Sequence, residues 1–256
     1  MGEIRTILPT ETSAFLGLLC DVFELDVARA EGIFHSEPLF DLQRKWALFE
    51  DGRMVTILTT VPLQFGWGNA YGIAGVATLA SERGKGHARR LLDAVHADAA
   101  TRNEGAALLF AREMALYERA GYRVLDEVVR TPLQSGDGRA PTEILPSEAV
   151  IERYTEWSDS DPHRLRRDAR RWDYWRWTLR MCVACPGGYA CLEGALVREA
   201  VTTANPDSWC AGLHGEWMGL RSMADRLGVP QGGAHELWLM GRDFPAIPQM
   251  FMTDQF

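Results

Sequence analysis

Apolar and polar positions alternate in two distinct rhythms over residues 1–133. Residues 4–8 read as a short strand. After Pro9 and Thr10, the apolar residues Phe15, Leu16, Leu19 and Phe23 recur at helical spacing, and residues 27–34 fit a second short helix. From Trp46 onward the apolar runs are strand-like: 46–49, 54–61, 63–67 and 70–79. Asp51-Gly52 and Gly68-Asn69 sit between them as hairpin turns, which predicts an antiparallel meander. A loop over 80–86 leads into a helix over 86–102, with Ala88, Leu91, Leu92, Val95 and Ala99 on one face. Residues 106–111 form another strand. A short helix over 114–120 closes at Gly121, and 122–129 is a further strand.

The stretch 134–147 is rich in Gly, Pro, Ser and Asp and reads as a linker. Beyond it the pattern predicts a helix around 161–181, strands near 189–192 and 195–201, a helix over 209–227 ending at Gly228, and short strands at 236–240 and 250–252. Residues 148–256 thus loosely repeat the order of 1–133. The fold class is α+β: a mixed, mainly antiparallel sheet flanked by helices, followed by a second α+β lobe.

Composition narrows the function. Apolar residues make up 46% and charged residues 24%, an ordinary globular balance. Residues 1–135 carry 14 cations and 18 acids, and residues 136–256 carry 13 and 17, so each part contributes −4 to the net charge of −8. Neither is a basic nucleic-acid arm, and a mildly acidic surface tolerates amine substrates. No apolar run is long enough for a membrane span, and no signal-peptide pattern opens the sequence, so a cytoplasmic location is expected.

The segment TLASERGKGHARRLL, residues 78–92, concentrates the chemistry. It holds Arg83, Gly84, Lys85, Gly86, His87 and Ala88 where a strand gives way to a helix. Glycines let backbone N–H groups form an open nest, and the helix adds its positive N-terminal end, so an anion such as a diphosphate is the natural guest. The dinucleotide fingerprint fails because Arg89 stands where a third glycine is required. The P-loop fails because Gly86 stands where Ser or Thr is required. The plain alternative is a tight turn with solvated cations.

The segment resembles the acetyl-CoA loop of the GCN5-related N-acetyltransferases, whose Arg/Gln-x-x-Gly-x-Gly/Ala pattern matches residues 83–88. A second signature of that family, an apolar strand followed by Tyr-x-x-x-Gly-Phe/Tyr, resembles ALLFAREMALYERAGYRVLDE, with Tyr117 and Gly121-Tyr122. Ala80 departs from the proline common in the family. The resemblance covers residues 1–133 and implies a catalytic domain that uses acetyl-CoA as cosubstrate. It implies pantetheine against the backbone of Val76, Ala77 and Thr78, and the diphosphate on the N–H groups of Arg83, Gly84, Lys85, Gly86, His87 and Ala88. It implies Tyr117 as the acid that protonates the leaving thiolate. The acceptor is then a small-molecule or peptide amine. Membrane and nucleic-acid partners are not expected, and a homo-oligomer is compatible with the sequence. Glu31, His35 and Glu37 lie where the acceptor side is expected, but none stands out as a base over an ordinary surface group. A non-catalytic acyl-CoA sensor on the same fold is the alternative function.

The two-lobed order resembles the enhanced-intracellular-survival acetyltransferases without their sterol-carrier-like third domain. Without that domain, no role carries over to the terminal Phe256. The stretch HRLRRDARRWDYWRWTLRM interleaves seven arginines with Trp172, Trp175 and Trp177. Arginine and aromatics together can bind single-stranded nucleic acid. Asp161, Asp168 and Asp173 break the charge, however, and Leu165, Ala169, Trp172 and Leu179 suit an amphipathic helix with tryptophans inward and arginines outward. A third reading has the tryptophans wall an acceptor cleft and hold a cationic amine over a ring face. Cys182 and Cys185 lack the second tight pair of a zinc site, since Cys191 and Cys210 follow at intervals of 5 and 18 residues, so no metal is expected.

Overall fold

The structure, a computed structural model, describes residues 2–133, 143–178 and 181–256. Twelve strands are present: β1 (Glu3–Thr6), β2 (Lys45–Glu50), β3 (Arg53–Phe65), β4 (Gly68–Thr78), β5 (Ala106–Ala111), β6 (Arg123–Pro132), β7 (Leu165–Arg166), β8 (Met181–Cys185), β9 (Gly188–Glu193), β10 (Leu196–Thr202), β11 (Glu216–Leu220) and β12 (Ala234–Arg242). The helices are α1 (Thr12–Phe23), α2 (Val27–Ser36), α3 (His87–Thr101), α4 (Ala115–Arg119), α5 (Ser147–Asp159), α6 (Ala169–Trp177), α7 (Pro206–Trp209) and α8 (Arg221–Arg226).

One sheet runs through both parts of the chain in the order β1-β2-β3-β4-β5-β12-β6-β11-β10-β9-β8, with β7 paired to the far end of β3. Among the described strands only the pairs β4–β5 and β10–β11 are parallel. β12 lies between β5 and β6, bonded to both. The fold is therefore mixed α+β on a largely antiparallel sheet, as the alternating pattern implies.

The first meander follows directly from local chemistry. Asp51 and Gly52 both take positive φ, 49° and 76°, as a two-residue hairpin turn with the favoured twist requires. The next turn falls at Gly66-Trp67, two residues earlier than the pattern suggests, because Phe65 pairs with Gly68. A Cβ at Gly66 would lie 2.6 Å from Pro162 Cα, so the close approach requires glycine there. β3 runs unbroken through Pro62, which the apolar runs split in two. β2 pairs with β3 only as far as Thr59, so the missing Pro62 N–H costs no ladder bond to β2.

Alternate residues of the central strands serve two cores. Trp46, Leu58, Tyr71 and Ile73 pack under α3 with Leu91, Leu92 and Val95. Ala47, Phe49, Ile57 and Ala77 pack on the other face under α1 and α2 with Phe15, Leu16 and Phe34. A third core fills the C-terminal part around Trp209, Trp217, Tyr189 and Phe251.

The sequence reading fails mostly beyond residue 146. The 209–227 helix is instead α7, strand β11 and α8. Gly212 and Gly215 at φ 79° and 146° break the helix, and β6 and β10 capture residues 216–220 from either side. The 161–181 helix shrinks to α6, preceded by β7; residues 179–180 lie outside the described ones. Residues 250–252 form no strand, and Met252–Asp254 is a 3-10 turn. α5 and β8 were not predicted, although Val150, Ile151, Tyr154 and Trp157 do carry a helical stripe. Of the 134–147 linker, 134–142 lie outside the described residues, while Ile144 bridges to Val183.

Candidate active site

β4 and β5 separate after four paired positions. Their parallel register runs from Ala70 opposite Ala106 to Ile73 opposite Leu109, and β5 then pairs with β12 on its other edge. Residues 74–78 of β4 are left without a strand on that side. On the β3 side the register slips between Thr59–Ala74 and Ile57–Ala77, so Gly75 and Val76 together oppose Leu58. This is a β-bulge. Gly75 takes φ 60° there, and a Cβ would come within 2.9 Å of Leu19 Cδ1. A bulge in a strand that has lost one neighbour presents unpaired backbone N–H and C=O groups to a ligand.

Two hollows meet at this stretch. The first, a cleft of about 600 Å³, is lined by Val76 and Thr78 of β4, by Arg83, Gly84, Gly86, His87 and Ala88, and by Arg89, Leu116 and Arg119. The second, a cavity of about 540 Å³, begins at Ala74 and Gly75 and is roofed by α1 and α2.

The glycine loop has the form of an anion nest. Gly84 and Gly86 take φ 81° and 82°, the left-handed region where glycine is strongly favoured. Gly86 is the N-cap of α3 and offers no side chain to its first N–H groups. The 15-residue helix therefore directs bare donors and its positive end into the first cleft. Arg83 Nε donates to Thr78 O at 3.3 Å, which ties the loop back to β4. Lys85 does not line the cleft; its ammonium bonds Glu82 at 2.7 Å and holds that carboxyl below its ordinary range. His87 is buried, with Nδ1 3.7 Å from Glu50 and Nε2 3.5 Å from Glu82. Ala77 faces the core under α1, not the cleft. Val22, Leu116 and Arg119 were not anticipated, because α1 and α4 reach this cleft only in three dimensions.

Tyr117 sits on α4 with its ring 6.1 Å from Tyr122, edge to face. It lines neither hollow, whereas its neighbours Leu116 and Arg119 line the first. Burial raises the Tyr117 phenol, so it stays protonated at neutral pH.

The cavity is mainly apolar, yet it contains charged groups. Glu37 lies on its wall, and burial raises its carboxyl. Glu31 and His35 are exposed and do not line it. Tyr174 of α6 and Phe256 close the far side. Phe256 packs against Gly72 and lies 5.6 Å from Phe110, so it lies between β4 and β5 where they part. Of the tryptophans of the Arg/Trp stretch, Trp172 and Trp175 are buried and Trp177 is half-buried, and Tyr174 is the ring of α6 that reaches the cavity.

Among the described arginines of that stretch, Arg170 and Arg176 are exposed, but Arg167 and Arg171 turn inward. Arg167 is fully buried between Glu199 and Asp254. Arg171 donates to Pro62 O, and Arg170 to Pro38 O and Phe40 O. Cys182 and Cys191 face each other across β8 and β9 as buried residues. Among the described residues no group of three or more His, Cys, Asp or Glu is placed to hold a metal ion. No helix among them is long and apolar enough to cross a membrane.

A sheet that opens at a bulged fourth strand is followed here by a glycine nest and a helix N-terminus, an arrangement suited to an anionic ligand. Residues 3–125 match the family model for an acetyltransferase (GNAT) domain, and the fold is GNAT-like. The architecture of both parts recurs in solved structures. A GCN5-related N-acetyltransferase from Anabaena variabilis superposes with a TM-score of 0.74 at 17% identity, covering 94% of this chain and 72% of that one. One from Kribbella flavida gives 0.72 at 14%, covering 94% and 70%. Eis1 from Mycobacterium abscessus gives 0.61 at 18%, covering 93% and 73%. Among curated proteins none matches the sequence.

Proposed function

We propose that the chain is an acetyl-CoA-dependent N-acetyltransferase that acetylates a primary amine, of a small molecule or peptide, by direct attack in a ternary complex. The observation that carries this reading is the meeting of two hollows at one unpaired stretch of β4. The nest-lined cleft suits a phosphorylated donor, and the cavity beyond Gly75 suits an acceptor. Acetyl-CoA supplies an activated acetyl thioester.

The residues divide the work as follows. Gly84, Gly86, His87 and Ala88 offer backbone donors to the diphosphate, with Arg83 and Arg89 adding charge. Val76, Ala77 and Thr78 offer backbone groups to the pantetheine amides. A free N–H of β4 at the bulge stabilises the oxyanion as the amine nitrogen bonds the carbonyl carbon. The C–S bond breaks, Tyr117 gives its proton to the thiolate, and the amine proton passes to solvent or to a carboxylate of the cavity. The division into a catalytic domain at 1–133 and a second domain at 148–256 belongs to the same proposal. In it, α6 and the C-terminal turn complete the acceptor wall.

Thiol release from acetyl-CoA in the presence of a mixed amine panel tests the proposal, with Tyr117→Phe alongside. Amine-dependent release is expected, and the variant loses about a hundredfold in turnover while binding acetyl-CoA as before. Binding with no release for any amine would favour the sensor function. Unchanged turnover in the variant would remove Tyr117 from the mechanism.

A further inference from the structure

The acceptor cavity holds charges of both signs inside an apolar wall. Leu16, Leu19, Ile33, Phe34 and Val61 form much of that wall. Lys45, the first residue of β2, enters it and is only 5% exposed. Its ammonium lies 5.0 Å from the Phe34 ring and 5.7 Å from the Phe40 ring. Among the described residues it has no hydrogen-bond acceptor; Glu37 and Asp41 act on it only at longer range. The ammonium opens only onto the cavity, where little water reaches it, and ring faces offset only part of the desolvation cost. Its remaining donors point to a partner that comes from outside.

The sheet register places this ammonium relative to the reacting end. Lys45 pairs with Thr59, and Thr59 pairs with Ala74, so the three residues form one row across β2, β3 and β4. All three line the cavity. Ala74 is the first residue of β4 beyond its pairing with β5. Two strand spacings, about 10 Å of sheet, therefore separate the backbone of Lys45 from the opening where the donor cleft begins. Glu37 faces the same space from the turn after α2 and makes no ion pair with Lys45. The cavity thus offers the deeply buried Lys45 ammonium at one place, the carboxylates of Glu24, Asp26 and Glu37 and the guanidinium of Arg29 elsewhere on its wall, and apolar surface between them.

Resting on the transferase reading above, we propose that the acceptor is a carboxylate-bearing amine, of the kind of an α-amino acid with an apolar or aromatic side chain. Its carboxylate binds the Lys45 ammonium, its side chain fills the apolar wall, and its amine is directed past Glu37 toward the open stretch of β4. A plain alkyl amine would leave Lys45 without an acceptor. The chemistry is unchanged: the amine nitrogen bonds the acetyl carbon, the C–S bond breaks, the thiolate gains a proton and the amine loses one.

The test uses the full chain, acetyl-CoA and matched acceptors: L-phenylalanine against L-phenylalaninamide, and L-leucine against L-leucinamide. One charge-assisted bond predicts a kcat/KM at least about tenfold higher for the carboxylate member of each pair. Lys45→Met brings that ratio toward one, mainly through KM, and Lys45→Arg restores part of it. Equal or faster acetylation of the amides by the native chain overturns the inference, as does a ratio that survives Lys45→Met in a variant with native melting behaviour. Acetyl-CoA binding with turnover of neutral amines only would sink this inference and leave the transferase reading standing. Absence of acetyl-CoA binding would sink both.

Discussion

Arg167→Met separates the role of the C-terminal part from that of the donor site. The Arg167 guanidinium is fully buried. It donates to both oxygens of Asp254 at 2.8 and 2.7 Å, to both of Glu199 at 3.2 and 2.7 Å, and to Thr253 Oγ1 at 2.9 Å. It also lies 3.7 Å over the Tyr154 ring. Methionine fills similar space but leaves two carboxylates in the core with, among the described residues, no cation beside them except Arg171, 4.0 Å from Asp254. Removing one partner from a buried ion pair costs about 3–5 kcal/mol, much of it from the charge left behind. At about 2–4 °C per kcal/mol for a chain of this size, the melting midpoint falls by roughly 6–20 °C. Glu199→Gln in the same chain relieves part of that, with a coupling of about 1–3 kcal/mol. Calorimetric melting of the single and double variants reads both quantities. The same residue holds the turn that carries Gln255 and Phe256, so the acceptor KM rises while acetyl-CoA affinity holds. A loss below about 1 kcal/mol, the value of an exposed pair, or additive single variants, would refute this account of the network.

Two further substitutions probe the first part of the chain. Gly72→Ala places a Cβ 2.5 Å from the Phe256 ring, so the ring must move; the acceptor KM shifts, acetyl-CoA binding does not, and an unaltered KM would show that Phe256 is not part of the acceptor wall. Arg5 holds Glu11 at 2.7 and 2.8 Å and lowers its carboxyl from 4.5 to about 2. A lowered carboxyl stabilises the fold above its unfolded value and loses that contribution as the pH falls toward 2. The stability difference between the native chain and Glu11→Gln, measured by urea unfolding, is therefore full at pH 7 and shrinks between pH 4.5 and 2; a difference that does not vary with pH would contradict it.

What could be read from the sequence was local. Gly84 and Gly86 announce their positive φ because little else suits it, and Leu91, Leu92 and Val95 announce the buried face of α3 by spacing alone. Asp51-Gly52 fixes its hairpin for the same reason. The acceptor cavity had no such signal. It is assembled from α1, α2, β2, β3, β4, Tyr174 and Phe256, and the residues that close it are nearly 100 positions or more from Gly75 along the chain. Lys45 looks like a solvated residue at the start of a strand, and only the packing of α2 and Phe40 buries it. The arginines in and just before α6 look like an outer face because spacing records periodicity and not partners; Glu199 and Asp254, which take up Arg167, are distant in sequence. β11 was hidden by tertiary capture, since two strands already in place hold residues that also suit a helix.

The central claim is that the loop of residues 83–88 holds acetyl-CoA, and calorimetric titration of acetyl-CoA into the native chain and into Gly86→Glu tests it most directly. The native chain is expected to bind one equivalent. The variant, folded by circular dichroism, is expected to lose at least about tenfold in affinity, because a carboxylate side chain is set beside the N–H donors that hold the diphosphate and repels it. No binding by the native chain, or equal binding by the variant, would contradict the account.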